Sequence, residues 1–332
     1  MKVGLIGAGR IGAFHARTLA GNPEVTSLRI ADANLARAKS VAREVGAETA
    51  LDADDLIRRS DALVIATATD THADLIRLGA DAKLPVFCEK PISLNLETTD
   101  RVLEHVDKAG IPLQIGFQRR FDRGYAEARR LVASGELGRV YAARLATHDP
   151  EPPPEQILKA SGGLFRDLMV HDFDIIRWTT GQEVEEVHAV AGVLTDDRAF
   201  VRLDDVDTAV AILRLKDGAL AVLSGLRHDP LGYDVRLELF GSKDSVVVGM
   251  DSRTPLRPLD DDREGTGQPA YRDFLERFGP AYREELHAFL LVARGETDSP
   301  CSGADARESL RVSLAAMVSL REKRPVALEE IR

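Results

Sequence analysis

Short runs in which nearly every residue is apolar recur through the first third of the chain, at 3–6, 27–31, 62–66, 86–88 and 113–116. Helical stretches at 10–20, 34–45, 72–82 and 95–109 lie between and around them. Runs this short, without in/out alternation, are strands buried on both faces. Their alternation with helices predicts an α/β unit with a parallel, doubly wound sheet. From about residue 139 the texture changes to strands joined by short turns, at 139–147, 186–194, 206–215, 219–226, 233–240 and 244–249. In the run 208–215, Val210 and Ile212 point one way while Ala209, Ala211, Leu213 and Leu215 point the other, so both faces are largely apolar. Lys216-Asp217-Gly218 after it marks a hairpin turn.

The second region is therefore expected to be an α+β unit: an open, mostly antiparallel sheet with helices on one side, closed by long helices at 270–294 and 304–322. An apolar sheet face that no helix covers pairs with another subunit, so a homo-oligomer is expected. The stretch 150–154, rich in proline, reads as a stiff loop rather than a linker, because strands of one sheet continue beyond it. At 332 residues the chain exceeds the usual size of a single core. The expected division is 1–118 and 119–332. No internal repeat or low-complexity tract is present.

Composition narrows the partners. A net charge of −10 with no basic run argues against nucleic acid and leaves a small polar molecule as the expected ligand. Two cysteines, Cys88 and Cys301, are too few for a disulfide framework. The first strand begins at Lys2, leaving no room for a signal peptide, and no apolar stretch is long enough to cross a bilayer. A cytoplasmic protein is expected.

The first turn carries the clearest chemistry. Gly7-Ala8-Gly9-Arg10-Ile11-Gly12 follows the first apolar run directly. Gly7 allows a tight strand-to-helix turn, Gly9 lets backbone approach a pyrophosphate, and Gly12 lets helix and strand pack closely, as in a Rossmann unit. The pyrophosphate then meets the positive end of the helix that opens with Arg10 and Ile11. Asp32 lies twenty residues beyond Gly12, where a carboxylate accepts hydrogen bonds from ribose hydroxyls and repels a 2′-phosphate. NAD is thus expected over NADP. Arg37 and Arg43 stand near enough in sequence to meet an NADP phosphate, but both fall inside the next helical pattern, where surface charge is the default.

Ligands of doubly wound sheets bind beyond the carboxyl ends of the strands, and three following loops are informative. Thr67-Ala68-Thr69-Asp70-Thr71-His72 is a turn rich in hydroxyls with an expected helix cap at Thr71. Glu89-Lys90-Pro91 holds a lysine in a restricted turn at a strand end, where its ammonium donates to an alcohol oxygen and favours a developing alkoxide. Glu89 reads as a local salt bridge or a ribose contact. Gly116-Phe117-Gln118-Arg119-Arg120-Phe121-Asp122 follows the last strand of the first region.

In the second region Gly162-Gly163 precedes Asp167, His171, Asp174 and Trp178, which share one helical face at i, i+4, i+7 and i+11. The paired glycines suggest backbone that approaches a ligand closely. A face with two carboxylates and an imidazole reads as solvated, metal-binding or catalytic. No third and fourth metal ligand stands nearby, so no metal is expected. The catalytic reading gives His171 the role of proton acceptor, with Asp167 biasing its charge.

With these residues in place the chain resembles the glucose-fructose oxidoreductase/inositol dehydrogenase/rhizopine-catabolism family, and within it the inositol 2-dehydrogenases. The resemblance covers nearly the whole chain. It rests on the glycine fingerprint, Glu89-Lys90-Pro91, the Gly-Gly-x3-Asp-x3-His stretch ending at His171 and the closing Arg324-Pro325-Val326. More particular to the inositol enzymes are the 116–122 motif, Thr147-His148-Asp149 and the continuation to Asp174.

The resemblance implies a catalytic triad of Lys90, Asp167 and His171, with His171 as acid/base. It implies a polyol pocket lined by Arg120, His148, Asp174 and Tyr233, with Thr67, Thr69, His72 and Gln118 beside the cofactor. It also implies a tetramer built through the sheets, a dimer being the smaller alternative. Inositol enzymes often carry an amide shortly after the residue matching His148, where this chain has Asp149 and Pro150. That departure touches the identity of the polyol, not the triad.

The expected reaction is NAD-dependent oxidation of a ring secondary alcohol, foremost the axial 2-hydroxyl of myo-inositol. Scyllo- or chiro-inositol and pyranoses are the nearest alternatives. NAD-dependent glycoside hydrolysis is a further one, and a non-catalytic NAD sensor has no need of Lys90, Asp167 and His171 together.

Overall fold

Hydrophobic strands without alternation require cover on both faces, and the first sheet meets that requirement. The computed structural model describes residues 1–257, 259 and 268–332. Its first part runs β1 (Lys2–Ile6), α1 (Arg10–Ala20), β2 (Ser27–Ala31), α2 (Leu35–Val45), β3 (Glu48–Thr49) and α3 (Ala53–Ile57). It continues through β4 (Ala62–Ile65), α4 (Thr69–Asp81), β5 (Val86–Glu89), α5 (Leu96–Ala109) and β6 (Leu113–Gly116). The six strands are all parallel in the order β3-β2-β1-β4-β5-β6, so the order reverses direction beside β1, where ligands of such sheets bind. Helix α4 begins at Thr69, earlier than expected, and Thr71 is not its cap. The Thr71 hydroxyl donates to the Ala68 carbonyl instead of accepting from a helix amide.

The second part comprises α6 (Arg123–Ala133), β7 (Val140–His148), α7 (Glu155–Ser161), α8 (Leu164–Asp167), α9 (Val170–Thr180), β8 (Val184–Gly192) and α10 (Arg198–Arg202). Strands β9 (Thr208–Leu215), β10 (Leu220–Leu226), β11 (Asp234–Gly241) and β12 (Ser245–Val248) follow. Helices α11 (Phe274–Ala293) and α12 (Gly303–Glu322) and the short β13 (Val326–Ala327) complete the chain. The second sheet has the order β12-β11-β7-β10-β9-β8-β13, antiparallel except for the β7–β10 pair. Gly218 at φ +90° makes the β9–β10 turn. Along β9 the alternation is resolved: Ala209, Ala211, Leu213 and Leu215 are buried, while Val210 and Ile212 are 43% and 47% exposed. Val190, Leu220 and Val222 are exposed with them.

Two compact units result, Met1–Gln118 with Pro280–Glu308, and Arg119–Gly279 with Ser309–Arg332. Leu286, Phe289 and Leu290 of α11 join Leu5, Ile30 and Phe87 in the core of the first unit. No helix among the described residues is long and apolar enough to cross a membrane.

Candidate functional site

In the first unit, β1 delivers the chain into Gly7 at φ +101°, where a Cβ would stand 2.3 Å from the Ala66 carbonyl oxygen. A Cβ on Gly12 would stand 2.0 Å from the Gly7 oxygen, so α1 sits directly on the turn. Gly9 differs: nothing lies within 4 Å of where its Cβ would be. Helix α1 starts at the next residue, Arg10, followed by Ile11, with no side-chain cap. Open space over a glycine and an uncapped helix end are what an incoming pyrophosphate requires.

Asp32 closes the same turn from β2. Its Oδ2 accepts from the Ala8 amide at 2.7 Å and its Oδ1 from the Asn34 amide at 2.7 Å. Arg37, in the first turn of α2, donates to both oxygens, so it is not a bystander on the surface. Burial by itself would raise the Asp32 pKa, but the hydrogen bonds from Arg37, Ala8 and Asn34 outweigh it and hold the carboxyl below its usual range. An ionised acid fixed beside the glycine turn fits a nucleotide ribose.

The other strand ends place the remaining predicted residues. Thr67 and Thr71 share a hydroxyl hydrogen bond of 2.7 Å, and Thr69 opens α4. His72 is buried, with Nδ1 at 2.7 Å from the Pro91 carbonyl and Nε2 at 3.2 Å from that of Thr67, so it ties the loops after β4 and β5 together. Burial pushes its pKa down. Glu89 accepts from His15 Nε2 at 2.7 Å, the salt-bridge alternative of its sequence reading. Lys90 is half-buried directly after β5. Gln118 is buried, and its Oε1 has no hydrogen-bond partner in the structure.

In the second unit the expected continuous helix is broken. Asp167 ends the one-turn α8, Leu168 and Met169 intervene, and His171 is half-buried in the first turn of α9. Helix α9 is buried almost all round, so Asp172 and Asp174 belong to the interior rather than to a solvated face. Each has its own arginine. Arg119 donates to Asp172 at 2.6 Å, with Thr147 Oγ1 donating to the same oxygen at 2.7 Å, and Arg120 grips Asp174 through two bonds of 2.9 and 2.6 Å. Ser309 adds a third bond to Asp174. Burial raises the Asp172 pKa despite Arg119 and Thr147.

Tyr233 is buried edge-on to Phe278, and burial drives its phenol pKa upward. The glycine pair has a structural cause. Gly162 and Gly163 take φ +87° and +88° between α7 and α8, and a Cβ on Gly163 would press within 2.7 Å of Asp205, which accepts from the Leu164 amide.

Alternation along β7 separates Thr147 and Asp149 from His148. The His148 ring is hydrogen-bonded with Ser224 at 2.8 Å and lies 3.6 and 3.7 Å from Asp229 and Asp234. Donor atoms of these three residues lie within 4.8 Å of one another, but Asp234 is already gripped by Arg236, whose charge opposes a cation. Asp149 instead meets Arg227, which donates to Asp149 Oδ2 at 3.0 Å and to Asp167 Oδ2 at 2.7 Å. Sequence reasoning passed over Arg227. Its one signal was an arginine directly after an apolar strand, the position from which Lys90 was singled out.

A glycine-turn Rossmann sheet with an ionised acid fixed beside the turn, followed by a second domain with a mixed sheet and arginine-clamped carboxylates, defines a two-domain oxidoreductase using NAD. Residues 1–117 match the oxidoreductase family with NAD-binding Rossmann fold, and residues 125–247 match the GFO/IDH/MocA C-terminal domain. The chain belongs to the GFO/IDH/MocA family. It is 40% identical to the myo-inositol 2-dehydrogenase of Thermotoga maritima, covering 100% of this chain and 99% of that protein. The crystal structure of a myo-inositol dehydrogenase from Corynebacterium glutamicum superposes with a TM-score of 0.90 at 33% identity, over 99% of this chain and 98% of that one. The scyllo-inositol dehydrogenase of Lactobacillus casei, solved with NAD(H) and scyllo-inositol, gives 0.89 at 28% identity, over 99% of each chain.

Proposed function

We propose that the protein oxidises one ring secondary alcohol of a cyclitol with NAD, foremost the axial 2-hydroxyl of myo-inositol, giving 2-keto-myo-inositol. The observation that carries this reading is the end-to-end likeness to the Thermotoga myo-inositol 2-dehydrogenase in a chain that presents Lys90, Asp167 and His171. Bound nicotinamide supplies the hydride acceptor.

His171 takes the hydroxyl proton, Lys90 donates to the oxygen as alkoxide character develops, and Asp167 stabilises the charge that His171 acquires. Hydride departs from the same carbon, so the alcohol becomes a ketone with the loss of one proton and one hydride. On the cofactor side the α1 amides and Arg10 and Ile11 take the pyrophosphate and Asp32 the ribose. Thr67, Thr69, His72 and Glu89 shape the loops beside it, and the orphaned Gln118 Oε1 offers an acceptor to an amide.

A cyclitol is neutral and ringed by hydroxyls, and a wrong epimer leaves buried polar groups unpaired. Arg120, Asp174, Tyr233 and His148 supply the mixed donors and acceptors such a ring demands. Scyllo-inositol is the second reading, favoured by the Lactobacillus likeness. The exposed strip of Val190, Val210, Ile212, Leu220 and Val222 supports a homo-oligomer, a tetramer or dimer, joined through the second sheet. Two buried cysteines that form no disulfide suit a cytoplasmic setting.

The test is NADH formation by purified protein with myo-, scyllo- and chiro-inositol and glucose, each with NAD and NADP. Turnover of myo-inositol with NAD above all others is expected. A preference for scyllo-inositol moves the assignment to the second reading, and no turnover across the panel overturns both.

A further inference from the structure

We propose that Arg227 is a positioning residue for the reaction: its guanidinium fixes the Asp167 carboxylate by clamping it to Asp149. The inference rests on the reading of Asp167 as part of the catalytic set. Asp167 is the last residue of a helix of only four residues, and the chain leaves regular structure immediately after it. Its Oδ2 accepts from the Arg227 guanidinium at 2.7 Å.

Arg227 is itself firmly anchored. It follows β10 directly, and β10 runs parallel to β7, which ends at His148, so Arg227 and Asp149 leave neighbouring strands side by side. The Asp149 amide donates to the Leu226 carbonyl at 2.9 Å and the Arg227 amide to the Asp207 carbonyl at 2.8 Å, fixing the backbone on both sides. Asp207 in turn accepts from the amides of Leu194 and Thr195 and from the hydroxyls of Thr195 and Thr208. The guanidinium is 3% exposed and spends one Nη on each carboxylate, at 3.0 and 2.7 Å.

The planar fork sets the spacing of the two carboxylates and offsets their repulsion, which a single ammonium cannot do for both at once. Burial opposes the arginine's charge, and the carboxylates of Asp167 and Asp149 more than restore it. Asp167 and Asp149 remain partly exposed, at 25% and 19%, so the clamp holds them while leaving them accessible. Because His171 follows Asp167 by only four residues, across the short break between α8 and α9, an error in the carboxylate's position passes to the proton acceptor.

The experiment compares Arg227→Met, Arg227→Lys, the double variant R227M/D149N and Asp167→Asn, with myo-inositol or whichever cyclitol the wild type turns over. Arg227→Met should lower kcat/KM by about 10²-fold, raise the primary deuterium isotope effect on hydride transfer, and leave the Kd for NADH within about twofold. Arg227→Lys should recover about tenfold of the loss. R227M/D149N removes the surplus charge that threatens folding of the single variant, and should stay as slow as Arg227→Met. Wild-type turnover in the folded double variant overturns the proposal, as does an unchanged isotope effect in Arg227→Met. Full activity in Asp167→Asn overturns the underlying reading instead, and the two failures are thereby told apart.

Discussion

Arg37 lies across Asp32, its Nη2 donating to Oδ1 at 2.7 Å and its Nε to Oδ2 at 3.1 Å. The acid that would receive the ribose thus has a guanidinium at its side, at the position where an NADP phosphate would otherwise find a partner.

Asp32→Ala should therefore do more than weaken NAD. Loss of charge-assisted hydrogen bonds is expected to lower kcat/KM for NAD by about 10- to 10²-fold. The released Arg37 should raise the value for NADP. Adding Arg37→Ala should abolish the NADP gain. Steady-state kinetics with both cofactors checks this, and a wild-type preference for NADP would remove Asp32 from the ribose role.

Lys90→Met and His171→Ala should each lower kcat by about 10²- to 10⁴-fold, the range for loss of a positioned proton donor or acceptor. NADH binding, followed by its fluorescence, should hardly change. If both variants lose the cofactor, their proposed roles are wrong.

Glu285 is wholly buried, neither of its carboxylate oxygens has a hydrogen-bond partner, and burial followed by the charge of Glu89 pushes its pKa well above the ordinary 4.5. Between 4.5 and the raised value the folded chain keeps a proton that the unfolded chain has lost, so stability falls as pH rises through that window. Glu285→Gln removes this slope. The variant should gain about 1 kcal/mol or more relative to wild type between pH 5 and pH 8 in urea denaturation. Parallel pH profiles for the two proteins would contradict the assignment.

Ile212 and Val222 face each other across β9 and β10 on the uncovered side of the second sheet. If the proposed oligomer forms through this face, replacing both with glutamate should convert it to a smaller species by light scattering, since charges desolvated at an interface core cost several kcal/mol, about 3 or more. An unchanged mass would place the subunit contact on another surface.

The glycine turn and strand ends that carry the candidate site were legible because their signals are local. The glycine spacing, Asp32 and the strand ends at Lys90 and Gln118 depend on residues within one βαβ unit, and backbone geometry ties each to its neighbours. Readings that depended on surroundings fared differently. Gly162 and Gly163 both take positive φ, and Gly163 is pressed against Asp205. Of the face read as carrying Asp167, His171, Asp174 and Trp178, three residues stay half-buried and only Asp174 is buried, because Arg120, more than fifty residues earlier, neutralises it.

The sequence by itself determined the alternation of strands and helices in the first unit, the parallel character of its sheet and the tight glycine turn after β1. Hydrophobic periodicity and glycine conformations act over a few residues and need no partner. Only the tertiary structure decided that Leu286, Phe289 and Leu290 return to the core of the first unit, that Asp149 rather than His148 shares an arginine with Asp167, and that Arg37 covers Asp32. An apolar helix face or a charged side chain states what it must be buried against or paired with. Which of many equivalent partners satisfies it is settled by the packing of the whole chain.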